Sequence, residues 1–429
     1  MCESPLINSI CEANREPDEH IAEGDYGCAS RNAQISNYRG ELMKKRIISV
    51  VCLLIIAIAC ISTIIISNIN KKKFHQDNEV PYAYTDLEMS YYNWKENHPK
   101  VHGIYVTGPT AGTDRMDELI ELINNSDLNA IVLDVKDDAG NISFHIDNED
   151  TDATDACIPY IQDIDSLLTE LKDNDIYVIA RIACFKDPTL AAARPDLALM
   201  TDTGEPVTDS NGNAWVNPCN KEVWDYITSI AESCCALGFD EIQLDYVRFP
   251  VGTNADQADY GVSVSDEERQ DYINDFLSQI SREVQNRNTP ISADIFGTII
   301  RSQQDAAHVG QVYATLATNL DCLSPMIYPS HYAAGEFGIE VPDAEPYETI
   351  YEALMGSQNA LSDIPSYNCA VIRPWLQAFT ADWVEGYIDY DADAILDEIS
   401  AVNDSGYDEW ILWNSESDYS VIESSDLTQ

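Results

Sequence analysis

Positive charge is scarce in this chain. Across 429 residues, 24 lysines and arginines stand against 74 aspartates and glutamates, a formal net charge of −50 at pH 7. Binding to nucleic acid or to anionic lipid is driven by cation–phosphate contacts, so no nucleic-acid partner is expected, and densely anionic polymers are disfavoured. Histidine is also sparse: there are seven, with no metal-ligand spacing and no His-x-His pair in the first apolar run. No metal or other cofactor is expected. No Gly-x-Ser-x-Gly elbow marks a serine hydrolase. Gly108-Pro109-Thr110-Ala111-Gly112 lacks the fingerprint of a phosphate-binding turn. Of twelve cysteines, Cys2, Cys11, Cys28, Cys52 and Cys60 precede residue 61, and the other seven are odd in number without metal-type spacing, so no disulfide framework is implied.

Only one long apolar run is present. Residues 47–69 carry no charge and are bracketed by Lys44-Lys45-Arg46 and Lys71-Lys72-Lys73. At a rise of about 1.5 Å per residue this helix would exceed the roughly 30 Å hydrocarbon core of a bilayer. A cleaved signal peptide would show a shorter apolar core and a small-residue cleavage site, so an uncleaved single-pass anchor is expected. Residues 1–46 then form a disordered cytoplasmic tail, 70–100 a stalk, and 101–429 a large domain outside the cell membrane. Residues 74–429 hold 66 acidic and 15 basic residues, a net of −51.

From residue 101 short apolar runs alternate with helical patterns. Candidate strands are 103–107, 130–136, 177–185, 241–249, 290–296, 322–328, 369–377 and 409–414. Between them lie helical stretches at 114–124, 160–173, 221–236, 267–286, 303–318, 347–361 and 391–402. This α/β alternation, repeated about eight times, predicts a (β/α)8 TIM barrel preceded by a single transmembrane helix, with an open doubly wound sheet as the alternative. Connections into strands are short, whereas 137–159, 186–220, 250–265 and 329–346, which leave strands, are long. Long loops therefore gather at the carboxyl end of the barrel, where substrate clefts are built.

The run Gly238-Phe-Asp-Glu-Ile-Gln-Leu-Asp-Tyr-Val-Arg-Phe-Pro250 organises the rest. Ile242, Leu244 and Tyr246 alternate with Glu241, Gln243 and Asp245, so one face is apolar and the other polar. Carried to the other strands, this parity aims Asp134 and Lys136, Arg181, Asp294, Ser324 and Tyr328, Arg373 and Gln377, and Asn414 into the lumen. Charge inside a barrel is costly unless paired. Ion pairs such as Asp134–Lys136, or Arg181 with a neighbouring Asp, explain part of the set, and a polar substrate pocket explains the whole.

Glycoside hydrolysis is the chemistry natural to such a pocket, since it needs one carboxyl group as acid and a second as nucleophile or base. Asp245 is assigned as nucleophile or base and Asp294 as general acid, with Asp134 as the substitute. Candidate substrate contacts are Asp134, Lys136, Arg181, Gln243, Arg248, Tyr328, His331, Gln377 and Asn414, with Trp215 as a stacking face. Asp137-Asp138-Ala139-Gly140 reads as a turn. A metal-dependent hydrolase built on Asp134, Asp137 and His331 is a further alternative.

The stretches VHGIYVTGPTAG (101–112), NAIVLDVKDDAG (129–140), ARIACFKDP (180–188), ARPDLAL (193–199), AWVNPCNKEVWDY (214–226), GFDEIQLDYVRFP (238–250), SADIFG (292–297) and SPMIYPSHY (324–332) resemble the bacterial putative glycosyl hydrolase domain family. The resemblance covers roughly residues 100–415. It implies a (β/α)8 fold grouped with TIM-barrel glycosidases and often membrane-anchored. The positions of Asp245 and Asp294 also look like the nucleophile and acid/base strands of alpha-amylase-type barrels. Here the fifth strand carries Asp rather than Glu, and Gln243 replaces the arginine two residues before the nucleophile. The expectation is a membrane-anchored glycosidase acting on a polysaccharide or glycan, with a non-catalytic carbohydrate-binding barrel as the alternative.

Overall fold

The computed structural model describes residues 94–252 and 254–422. The expected tail and anchor and most of the stalk lie outside the described residues. Among the described residues no helix is long and apolar enough to cross a membrane.

Eight parallel strands close into a barrel: β1 His102–Val106, β2 Ala130–Lys136, β3 Tyr177–Ala183, β4 Glu241–Asp245, β5 Ile291–Phe296, β6 Cys322–Met326, β7 Trp375–Gln377 and β8 Trp410–Trp413. Each pairs with its sequence neighbours, β8 returns to β1, and Trp375 pairs with Met326 to complete the circuit. The seventh run is interrupted at Arg373-Pro374, so Val371–Ile372 pairs separately with Cys322 and Leu323. Proline supplies no N–H to a ladder, which accounts for the break.

The connecting helices are α1 Arg115–Asn124, α2 Ile164–Asp173, α3 Lys221–Leu237, α4 Asp266–Gln285, α5 Gln303–Val309, α6 Pro346–Leu361 and α7 Ala392–Asp404. On α1 the buried set Met116, Leu119, Ile120 and Ile123 follows helical spacing. α4 starts at a capping box in which Ser265 and Glu268 bond each other's backbone N–H groups. α3 ends at Gly238, whose φ of 91° is a left-handed conformation that glycine adopts without a Cβ penalty. That stop turns the chain directly into Phe239-Asp240 and β4.

Two apolar layers result. Ile131, Leu133 and Val135 of β2, Val178, Ala180 and Ile182 of β3, and Ile291, Ala293 and Ile295 of β5 pack outward against the helices. Fully burying such side chains stabilises by about 1.5–3 kcal/mol each. A smaller inner cluster joins Val101, Tyr105, Ala130, Val132, Ile179, Trp375 and Ile411. The lumen is therefore mixed rather than uniformly polar. Beneath this plug, Arg373 donates to Glu241 at 2.8 Å and Glu409 at 2.9 Å, with Glu409 also held by His98 at 2.6 Å. That paired set belongs to the floor of the barrel.

β4 ends four residues earlier than its composition suggests. Tyr246 has φ of 54°, unusual for a bulky residue, and this kink lifts Val247–Pro250 out of the sheet. After β8 the described residues close on a single 3-10 turn, Ser420–Ile422. Tyr419 fixes it by donating its hydroxyl to the Tyr105 carbonyl at 2.8 Å and accepting the Tyr105 N–H at 3.0 Å.

Candidate active site

A cavity of about 960 Å³ opens at the carboxyl ends of the strands. Its walls include Tyr105, Asp134, Asp138, Arg181, Lys186, Asp245, Tyr246, Arg248, Asp294, Phe296, Tyr328, His331, Trp375 and Trp413. Five of the sequence-derived candidates, Lys136, Trp215, Gln243, Gln377 and Asn414, are not part of that lining, and each has a physical reason.

Arg181 is the hub. From the middle of β3 it donates to Asp134 Oδ1 at 2.6 Å, to Asp138 Oδ1 at 2.9 Å, and through Nε (3.2 Å) and Nη2 (2.5 Å) to Asp245 Oδ2. The barrel register sets Asp134 beside Arg181, and β4 follows on the other side. Asp245 is the last residue of its strand, and its Oδ1 accepts the Tyr246 N–H at 2.6 Å. One guanidinium thus holds three carboxylates on neighbouring elements.

Asp138 completes the web from the turn after β2. It accepts from Tyr246 Oη at 2.7 Å and from Lys186 Nζ at 3.3 Å. Burial opposes its ionisation, yet the charges of Arg181 and Lys186 hold its carboxyl well below the usual range. Asp134, fully enclosed, is pushed upward by burial against the pull of Arg181, while Tyr105 donates to its Oδ2 at 2.8 Å.

Asp294, on β5, has a contrasting environment. Trp375 Nε1 donates to its Oδ1 at 2.6 Å, while Oδ2 is buried without a hydrogen-bond partner among the described residues. No cation of the described residues pairs with it. Burial, and then the negative charge of Asp245, raise its carboxyl well above the usual range. The same cavity therefore holds Asp245, clamped by Arg181, and Asp294, a carboxyl that favours its proton. Such opposed pairs separate acid from nucleophile or base in two-carboxyl hydrolysis.

Tyr328 and His331 line the cavity beyond β6, and burial lowers the imidazole's proton affinity. Lys136 does not reach the cavity. A register shift between Asp134 and Lys136 turns it to Asp187 at 2.9 Å and the Ala183 carbonyl at 2.6 Å, so the Asp134–Lys136 pair does not form. Trp215 is 0% exposed and packs under Arg248 and Tyr246, leaving no open face for a sugar. Gln243, deep in the lumen, donates to Ser324 at 3.2 Å. Gln377 accepts the Ser330 N–H at 3.1 Å and donates to Asp343 at 2.9 Å. Asn414 caps its own loop by accepting the Glu416 N–H at 2.9 Å and donating to Ala378 at 2.8 Å.

Asp137 turns its carboxylate into its own loop, accepting the N–H groups of Ala139 and Asn141 at 2.9 and 2.8 Å. It does not meet Asp134 and His331. Among the described residues no three His, Cys, Asp or Glu side chains are grouped as a metal site. Asp138, Tyr105, Tyr246, Lys186, Trp375 and Trp413 carry no sequence signal that marks them for the site. Asp138 lies within a turn, the others belong to apolar runs or long loops, and only the closed barrel brings them together.

Residues 103–419 match the family described as "Putative glycosyl hydrolase domain". No curated protein matches the chain. Among solved structures, a hypothetical protein from Ruminiclostridium thermocellum ATCC 27405 is 33% identical, covering 44% of this chain and 96% of that one, at a TM-score of 0.40. The PgaB (BpsB) glycoside hydrolase domain from Bordetella bronchiseptica is 12% identical, covering 74% of this chain and 95% of that one, at a TM-score of 0.56. At that identity the likeness is one of fold. The spore cortex-lytic enzyme SleL from Bacillus megaterium QM B1551 is 14% identical over 75% of this chain and 73% of its own, at 0.44.

Proposed function

Since this chain belongs to the putative glycosyl hydrolase domain family, we propose that it is a glycoside hydrolase acting on a polysaccharide or glycan, with Asp294 as general acid and Asp245 as nucleophile or base. The observation that carries this reading is the contrast between the two carboxyl groups. Asp294 is buried, unpaired with any cation among the described residues and proton-favouring, whereas Asp245 accepts two hydrogen bonds from Arg181. The acid protonates the departing glycosidic oxygen. Asp245 either attacks the anomeric carbon or takes a proton from water, and a negative charge there stabilises the developing oxocarbenium. Aromatic walls at Tyr328 and Trp413 suit the apolar faces of sugar rings. No metal or cofactor enters this scheme.

Residues 47–69, uncharged and bracketed by basic triplets, support a single-pass anchor at the cell membrane with the barrel outside. The non-catalytic alternative is favoured by one feature: both Asp245 oxygens are already engaged, by Arg181 and by the Tyr246 N–H. Incubating the full chain with a glycan panel, beside Asp245→Asn and Asp294→Asn, separates the two. Release of reducing ends that is lost in both variants supports hydrolysis. Hydrolysis that survives both substitutions removes the assignment, and retention without cleavage favours the binding barrel.

A further inference from the structure

Five lysine and arginine side chains are buried among the described residues. Four of them touch carboxylates: Lys136 on Asp187, Arg181 on Asp134, Asp138 and Asp245, Lys186 on Asp138 and Asp209, and Arg373 on Glu241 and Glu409. Arg248 is the exception. It is 8% exposed, lines the cavity, and among the described residues makes one hydrogen bond, from Nη1 to the Phe249 carbonyl at 3.2 Å. No carboxylate of the described residues pairs with it. In a chain with 74 acids and 24 bases, that exception is not for want of carboxylates.

Aromatic rings take the place of a counter-ion. The guanidinium carbon lies 4.4 Å from the Phe296 ring centroid, 4.8 Å from Trp215 and 5.4 Å from Tyr246. Their π faces offset part of the desolvation and fix the side chain. They accept none of the remaining N–H donors, of which a guanidinium has five in all. Burial accordingly lowers its proton affinity to about 10, although Tyr246, Asp245, Asp138 and Asp209 act on it from a distance. The position is pre-organised, charged and short of acceptors, and it faces the space a substrate would fill.

We propose that Arg248 receives the carboxylate of an acidic sugar, so that the substrate is a glycan carrying a uronic or carboxyl-ether sugar at this position. This rests on the reading of the cavity as a glycan site and names the class of glycan. A guanidinium fork matches a planar carboxylate with two parallel hydrogen bonds. A singly charged group fits better than a phosphate dianion, because Asp134, Asp137, Asp138, Asp245 and Asp294 line the same cavity. The net −51 of residues 74–429 likewise favours occasional acidic sugars over a continuous polyanion.

The test is calorimetric titration of the full chain with matched pairs: glucuronate against glucose, galacturonate against galactose, and muramate against glucosamine, with glucose 6-phosphate as a further arm. In the wild type at least one acid binds roughly tenfold tighter than its neutral partner, the order expected for a charge-assisted bond. Arg248→Gln brings that pair to near equality, and Arg248→Lys keeps part of the preference. Equal binding within all three wild-type pairs overturns the proposal without recourse to any variant. So does a preference that survives in Arg248→Gln, or glucose 6-phosphate binding tighter than every carboxylate. Acid preference without hydrolysis of any glycan removes the catalytic reading and leaves this one standing; hydrolysis confined to neutral glycans does the reverse.

Discussion

Trp375 Nε1 donates to Asp294 Oδ1 at 2.6 Å, and it is the sole hydrogen bond that the buried carboxyl makes among the described residues. A donor of this kind favours the ionised form, so it restrains a proton affinity that burial and Asp245 drive upward. Asp294→Asn should lower kcat by about 10²–10⁴-fold on glycosides with poor leaving groups, the usual contribution of a general acid. Aryl glycosides, whose leaving groups need less protonation, should lose less. Because the acid acts only while protonated, activity falls as pH rises through its raised pKa. Trp375→Phe removes the restraint and should move that alkaline limb to higher pH, which a pH–rate profile measures directly.

The Arg181 clamp makes a second expectation. Three carboxylates, Asp134, Asp138 and Asp245, share its guanidinium inside the barrel. Removing one partner of a buried ion pair typically costs about 3–5 kcal/mol, because the remaining charges lose their compensation. Arg181→Gln should destabilise by at least that order at pH 7 in urea unfolding. The deficit should shrink as pH falls and the stranded carboxylates take up protons. Arg181→Lys keeps the charge but cannot reach all three acids, and should fall between.

Stability itself should respond to one residue far from the cavity. Asp321 is buried between α4 and β5, accepting the Ile291 N–H at 2.8 Å and a donor from Gln285 at 3.1 Å. Burial raises its carboxyl from the ordinary 3.8 to about 6, despite those two bonds. A raised folded-state pKa means a contribution fully present below the unfolded value and lost as pH climbs through about 6, on the order of 3 kcal/mol in all. Asp321→Asn retains an acceptor for Ile291 without the charge. The thermal midpoint of the variant should therefore decline less than the wild type's between pH 4 and 7, and identical slopes would contradict the assignment.

The barrel could be read from the sequence because two periodicities alternate in it. Strand parity correctly aimed Asp134, Arg181 and Asp294 inward, with Ile131, Val178 and Ile291 outward. What parity cannot see is where regular pairing stops. A register shift before Lys136 and the left-handed Tyr246 each redirect the side chains at and beyond them. Lys136 consequently leaves the site, and Tyr246 enters it through its hydroxyl. Nor does composition separate an inward polar residue at the floor, such as Arg373, from one at the mouth. That depends on stagger between strands, which only barrel closure sets. Asp138 and Lys186 converge from two loops with no periodic signal at all.

Trp215 tests the boundary between sequence expectation and structure. As a loop aromatic at the carboxyl end of the barrel it reads as a sugar-stacking face, but its ring is covered by Arg248 at 4.8 Å and meets Tyr246 edge-on at 5.9 Å. Its backbone N–H is bonded to the Val207 carbonyl at 3.1 Å, which folds the long loop after β3 onto itself. Trp215→Ala should therefore behave as a core truncation, costing about 3–5 kcal/mol in unfolding measurements. Trp215→Phe keeps a ring under Arg248, so glycan affinity should change little even where stability drops. Trp413 lines the cavity, and Trp413→Ala should show the opposite pattern, with weaker glycan binding and a smaller loss of stability. If Trp215→Phe abolished binding in a protein that unfolds at the wild-type denaturant concentration, the indole would have to reach the ligand, and its burial under Arg248 would not hold in solution.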